Sequence, residues 1–184
     1  MRTNLIITDN FYNNPDDVRN FALSLDFTVQ GNYPGLRTKS YLNDSLKEKI
    51  QEIVGPFSGK VTQWNDQDGL TGSFELATSR NRSWLHTDHF NTWAGIIYLT
   101  PNAPVTGGTG LFKYKQTGSM LHDGTDYSNY TQDMTKWELV DQIGNVYNRF
   151  ALYRSDIYHT SLDYFGFDKL DGRLFQLFFI TTEF

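Results

Sequence analysis

The residues with the plainest capacity for chemistry are His86-Thr87-Asp88 and, far downstream, His159. Two imidazoles and one carboxylate form the ligand set that holds non-haem Fe(II) while leaving coordination positions open. The spacing has a mechanical reason. In an extended strand residues i and i+2 point to the same face, so His86 and Asp88 reach one metal together from a strand end. The third ligand must then come from a distant strand folded back beside the first. Arg173 follows His159 and heads Arg173–Ile180, a run apolar at nearly every position. Such a run is expected to be buried on both faces, where an unpartnered guanidinium is costly. Two solutions stay open. A nearby carboxylate such as Asp171 pairs with it, or a ligand carboxylate meets its planar two-point fork. The set points to iron-dependent oxygen chemistry beside a small bound dicarboxylate.

Composition narrows the field. A chain of 184 residues is long enough for one domain with a sizeable core. The expectation is a single domain over 1–184, with a helical support region in 1–59 and a jelly-roll core in 60–184. Aromatics make up 16% of the residues, which favours a β-rich, well-packed interior. The net charge of −5 argues against a general nucleic-acid-binding surface. Absence of cysteine excludes disulfides, thiolate metal sites and cysteine nucleophiles. The apolar run near the N-terminus is too short for a signal peptide, and no stretch approaches the roughly 18 apolar residues of a membrane span. A soluble, cytoplasmic protein with no membrane partner is expected.

The elements that must position these residues can be read from periodicity. Leu5–Thr8 is a short apolar strand. Asn14 is an N-cap, Pro15 takes the first helical position, and Asp16 and Asp17 suit the positive end of a helix running to about Leu25. Asn32-Tyr33-Pro34-Gly35 reads as a turn. A second helix is expected from Ser45 to Val54, stopped by Gly55-Pro56. Beyond Lys60 the period becomes two, with strands expected at Lys60–Trp64, Ser73–Thr78, Ser83–His86, Trp93–Leu99 and Gly110–Tyr114. His122–Tyr130 reads as an exposed loop. Met134–Ile143 carries helical spacing closed by Gly144. Val146–Tyr153, Ile157–His159 and Arg173–Ile180 complete the strands. Helices first, then many short strands, predict a mainly β fold: a double-stranded β-helix, or jelly roll, with the helices on the outside of its larger sheet. Neither helix is expected to contribute a catalytic residue.

His86-x-Asp88, Ile97-Tyr98-Leu99, Gly107-Gly108-Thr109-Gly110-Leu111-Phe112, His159 and Arg173 together resemble the 2-oxoglutarate/Fe(II)-dependent dioxygenases, particularly the prolyl-hydroxylase-like group. The likeness covers about Ser73 to Phe184. The segments Asn14–Arg19 and Tyr33–Thr38 resemble small bacterial and phage relatives of that group and bring no known substrate. The resemblance implies definite roles. His86, Asp88 and His159 would coordinate Fe(II). Arg173 would bind the far carboxylate of the co-substrate 2-oxoglutarate, with Tyr98 assisting or simply filling the core. Dioxygen would be the second co-substrate, and an unidentified amino-acid side chain, peptide or small molecule would be hydroxylated with release of succinate and CO2. The chain departs from the family pattern in a longer interval between His159 and Arg173, which makes Arg154 the reserve arginine.

Two rival classes stand beside this reading. One is a non-catalytic jelly-roll binding or structural protein. The other is a cupin-type metal oxygenase without 2-oxoglutarate, which ordinarily carries more histidine ligands and leaves Arg173 without a purpose. Of the remaining features, the glycine run at Gly107–Gly110 lacks the Lys-Ser/Thr and helix of a phosphate loop and reads as a turn. Trp84, Trp93 and Trp137 read as core. His89 reads as a solvated loop residue, with substrate contact at the site mouth as its alternative. His122 sits in a polar loop and carries no assignment. Arg80 and Arg82 flank the site in sequence, to meet an acidic co-substrate or only to solubilise a loop.

Overall fold

The computed structural model describes residues 2–184; residue 1 lies outside them. Among the described residues, ten strands form two antiparallel sheets. The strands are β1 (Leu5–Thr8), β2 (Leu36–Arg37), β3 (Lys60–Trp64), β4 (Phe74–Ala77), β5 (Trp93–Tyr98), β6 (Thr109–Tyr114), β7 (Trp137–Ile143), β8 (Phe150–Arg154), β9 (Tyr158–Ser161) and β10 (Arg173–Glu183). The larger sheet runs β1-β8-β5-β10-β4-β2, with β3 also paired to β10; the smaller runs β7-β6-β9. The fold is a jelly roll, as the order of elements predicted. No helix among the described residues is long and apolar enough to cross a membrane.

The alternation along β10 explains its apolar sequence. Leu174, Phe178 and Ile180 face outward, into a core shared with Ile6, Phe150, Ile50 and Val54. Phe175, Leu177 and Phe179 face inward, among Ile96, Leu111, Ala151 and Ile157 between the two sheets. Arg173 belongs to this inward series, because residues two apart share a face. The outward core is covered by α1 (Pro15–Ser24) and α2 (Asp44–Ser58), which bury Ala22, Leu46, Ile50 and Val54 against the larger sheet.

Several boundaries differ from the sequence expectation. Gly55-Pro56 does not stop α2. Pro56 sits inside its last turn, and the helix ends at Gly59, whose φ of 77° suits glycine and whose N–H bonds the Gly55 carbonyl. Proline so near the end forfeits only one helical hydrogen bond. Met134–Ile143 is not a helix: Met134–Lys136 forms a 3-10 turn and Trp137–Ile143 pairs with β6. Its apolar spacing is misleading, since Met134 and Val140 are exposed and only Trp137 and Ile143 are buried. Ser83–His86 is extended but makes only an isolated bridge between His86 and His159. β2 went unforeseen because two residues are too few to show a period; it pairs with β4, setting Arg37 opposite Glu75.

Candidate metal centre

His86 and His159 are held together by the backbone before any side chain is considered. The His86 N–H donates to the His159 carbonyl at 3.1 Å, and the His159 N–H returns to the His86 carbonyl at 2.9 Å. Asp88 is pinned in turn by its N–H, which bonds the Ser155 carbonyl at 2.7 Å. One ligand atom from each of His86, Asp88 and His159 lies within 4.8 Å of the others. His159 Nε2 stands 3.2 Å from Asp88 Oδ2, and His86 Nε2 stands 4.0 Å from Asp88 Oδ1.

The tautomers follow from the second nitrogen of each ring. His86 Nδ1 lies 2.9 Å from the Trp84 carbonyl, and His159 Nδ1 lies 2.8 Å from the Ile157 carbonyl. A carbonyl oxygen only accepts, so each Nδ1 carries the proton and each Nε2 keeps its lone pair free toward the cluster. Burial, followed by the His159 charge, lowers the His86 pKa to about 4, which keeps that ring neutral at physiological pH. Burial pushes the Asp88 carboxyl up, but the neighbouring His159 and His86 imidazoles and the charge of Arg37 outweigh it and hold the group below its ordinary value. Two imidazole Nε2 atoms and a carboxylate on one side of a cavity fit a divalent metal such as Fe(II).

Arg173 lines the same cavity, of about 330 Å³, and is fully buried. Its Nε donates to the Gly107 carbonyl at 3.0 Å and its Nη2 to the Gly108 carbonyl at 3.4 Å. Nη1 has no partner. Asp171 is not the counter-ion: its carboxylate accepts the N–H groups of Phe167 and Asp168 within its own turn. Arg154 is also engaged elsewhere, in a two-point pair with Asp156 at 3.0 Å, and does not line the cavity. The Arg173 guanidinium rests against the Phe175, Tyr98 and Tyr164 rings at 4.4, 5.5 and 5.8 Å. Tyr98 itself stands behind the cavity wall. Its hydroxyl meets Thr109 Oγ1 at 2.8 Å, and it is Thr109 that borders the space.

The structure separates the minor candidates. Trp93 and Trp137 are buried core residues, but Trp84 is half-buried and borders the cavity, a correction that follows from its place two residues before His86. His89 is exposed and stacks on half-buried His122 with centroids 4.0 Å apart, and neither lines the cavity. Arg80 and Arg82 do not line the cavity, and Arg82 folds onto the carbonyls of Ser79 and Asn81. Sequence reasoning passed over four lining residues, Arg37, Glu75, Tyr153 and Tyr164. A charge at an inward position of β4 was the available signal for Glu75; the others carry none.

A protein-family model described as "Family of unknown function (DUF6445)" matches residues 1–138. No curated protein matches the chain. Among solved structures, HygX from Streptomyces hygroscopicus with nickel, 2-oxoglutarate and hygromycin B bound is 13% identical, with a TM-score of 0.65 over 99% of this chain and 84% of that one. A prolyl hydroxylase from Trichoplax adhaerens, in complex with a hypoxia inducible factor peptide fragment, is 12% identical, with a TM-score of 0.57 over 97% and 84%. The non-haem α-ketoglutarate-dependent epimerase SnoN from nogalamycin biosynthesis is 12% identical, with a TM-score of 0.61 over 98% and 78%. This chain shares the fold of these three proteins along nearly its whole length.

Proposed function

Because the chain belongs to DUF6445, a family of unknown function, we propose from its site that it is an Fe(II)- and 2-oxoglutarate-dependent dioxygenase that hydroxylates a small substrate. One observation carries the reading. The His86, Asp88 and His159 ligand set borders the same cavity as Arg173, a fully buried guanidinium whose Nη1 has no partner within the protein. A buried guanidinium with an unmade hydrogen bond is costly unless a ligand completes it, and a carboxylate completes it best.

Bound Fe(II) supplies the activation of dioxygen and the oxidation of a C–H bond, coupled to conversion of 2-oxoglutarate into succinate and CO2. The protein's own residues do the rest. His86 and His159 present unprotonated Nε2 atoms, so binding a metal displaces no proton from them. Asp88 brings the negative charge that favours a divalent ion. Arg173 holds the far carboxylate of 2-oxoglutarate, and Phe175 and Tyr153 wall the cavity against water. Residues 1–184 act as one domain, with 1–59 as support region and 60–184 as core; β1 and β2 come from the first part yet pair with β8 and β4 of the second.

Anaerobic loading with Fe(II), titration with 2-oxoglutarate by calorimetry, and succinate release on admitting air test the function. Saturable 2-oxoglutarate binding that requires the metal is expected. Metal binding with no 2-oxoglutarate affinity would leave a metal-binding jelly roll of another kind.

A further inference from the structure

The cavity holds a second charged feature that metal and co-substrate leave unused. Arg37 on β2 and Glu75 on β4 face each other across a strand pair, and Arg37 Nε donates to Glu75 Oε2 at 2.6 Å. Both residues are buried and both line the metal cavity. Arg37 Nη1 is taken by the Gly69 carbonyl at 2.7 Å, and the guanidinium lies 3.6 Å above the Tyr33 ring. The pair is therefore locked in place from three sides. Neither Arg37 Nη2 nor Glu75 Oε1 has a hydrogen bond within the protein, and neither is sealed away as Arg173 Nη1 is. One cationic donor and one anionic acceptor thus stay open on two paired residues that line the cavity. Arg37 and Glu75 share this cavity with His86, Asp88 and Arg173.

We infer that Arg37 and Glu75 form the specificity subsite for the primary substrate, and that this substrate is a free α-amino acid. The carboxylate would meet Arg37 Nη2, the ammonium would meet Glu75 Oε1, and the side chain would point toward His86 and Asp88. The inference rests on the dioxygenase reading for its reaction but not for its binding.

Charge decides the class. The pair is neutral as a whole, so a phosphate or second dicarboxylate would gain one contact from Arg37 and be repelled by Glu75. An apolar substrate would leave both open atoms unsatisfied. A neutral amide offers a donor and an acceptor but forgoes the stronger charge-assisted bonds. A zwitterion satisfies both atoms and adds no net charge. Size agrees, since about 330 Å³ is at the small end for a ligand site and must also admit 2-oxoglutarate. A purely structural role does not explain the arrangement. A buried ion pair is weak evidence for stability, and a pair that only stapled β2 to β4 would have no reason to leave both outer atoms open to the cavity.

The test uses the full chain, metal-free and nickel-loaded with 2-oxoglutarate, and saturation-transfer NMR with each of the proteinogenic L-amino acids. At least one is expected to bind. Its N-acetyl and methyl-ester derivatives, which remove one charge each, should bind tenfold or more weaker, the loss of one charged hydrogen bond. Glu75→Gln keeps the shape and the bond from Arg37, so it should fold. It should erase the discrimination against the N-acetyl derivative while calorimetry shows unchanged 2-oxoglutarate affinity. Binding of none of the amino acids, or equal binding of parent and derivatives by the unaltered protein, would overturn the inference, whatever the variant does. Amino-acid binding without 2-oxoglutarate binding would instead sink the dioxygenase reading and leave the subsite standing.

Discussion

Arg173 is anchored by Gly107: its Nε donates to the Gly107 carbonyl at 3.0 Å, while its Nη1 is left without a partner. The glycine turn and the arginine are one device, a buried cation held by neutral carbonyls so that its charge stays uncompensated. Arg173→Ala is expected to weaken 2-oxoglutarate binding by about 2–5 kcal/mol, the range for truncating one member of a buried charged pair. Affinity for the metal should change little. Arg173→Lys should recover only part, since an ammonium lacks the planar fork. Calorimetric titration of nickel-loaded protein checks both, and unchanged affinity in Arg173→Ala would make the residue structural.

Gly108 extends the same logic. A Cβ added there would run into the carbonyl oxygen of Ile143, a backbone atom that cannot rotate away. Gly108→Ala should cost roughly 1–3 kcal/mol of stability, as overpacking does, and should also weaken 2-oxoglutarate binding by shifting a carbonyl that Arg173 leans on. Thermal unfolding and calorimetry on the same preparation measure the two effects. Loss of stability with wild-type affinity would uncouple turn from arginine.

Removing either imidazole, by His86→Ala or His159→Ala, should reduce metal affinity by more than the roughly 10–100-fold typical of losing only an outer partner of a ligand. Asp88→Ala should do the same and also remove the carboxylate that stands 3.2 Å from His159 Nε2. Competition with a chromophoric chelator reads these affinities. A variant that keeps wild-type affinity would take its residue out of the ligand set.

The metal-free protein should lose stability as the pH falls from about 6.5 toward about 4, the ordinary and folded values for His86. In that window the unfolded chain binds a proton on His86 and the folded chain does not, so acid favours unfolding. Asp88 acts at lower pH. Its folded value is depressed, so its contribution is present above the ordinary carboxylate range and is lost as pH falls through the lower folded value. Thermal midpoints of unaltered protein and His86→Gln, measured between pH 7.5 and 4.5, give the comparison. Equal slopes for the two would remove His86 as the cause.

Residues 1–59 and 60–184 should unfold together. β1 is hydrogen-bonded along β8, and Leu46, Ile50 and Val54 of α2 pack against strands of the larger sheet. A single transition by both circular dichroism and tryptophan fluorescence is expected. Two resolved transitions would show separate units.

By itself the sequence determined what depends on local pattern. Pro15 with its preceding Asn14, the change of period after Lys60, and the nearly continuous apolar run after Arg173 all act through neighbouring residues, and they mark α1, the strand region and the doubly buried β10. Residue chemistry likewise marked His86, Asp88 and His159, because few other side chains suit a metal. Tertiary structure decided which groups were already spoken for. Asp171 and Arg154 carry the right charges but are consumed by their own turn and by Asp156, while Arg173 is met only by carbonyls. It also decided that Arg37 and Glu75 belong to the site. They are far apart in the chain and come together only because a two-residue strand, too short to show any period, pairs with β4. Whether a charge is satisfied depends on what packs against it from distant segments, and spacing along the chain carries no record of that.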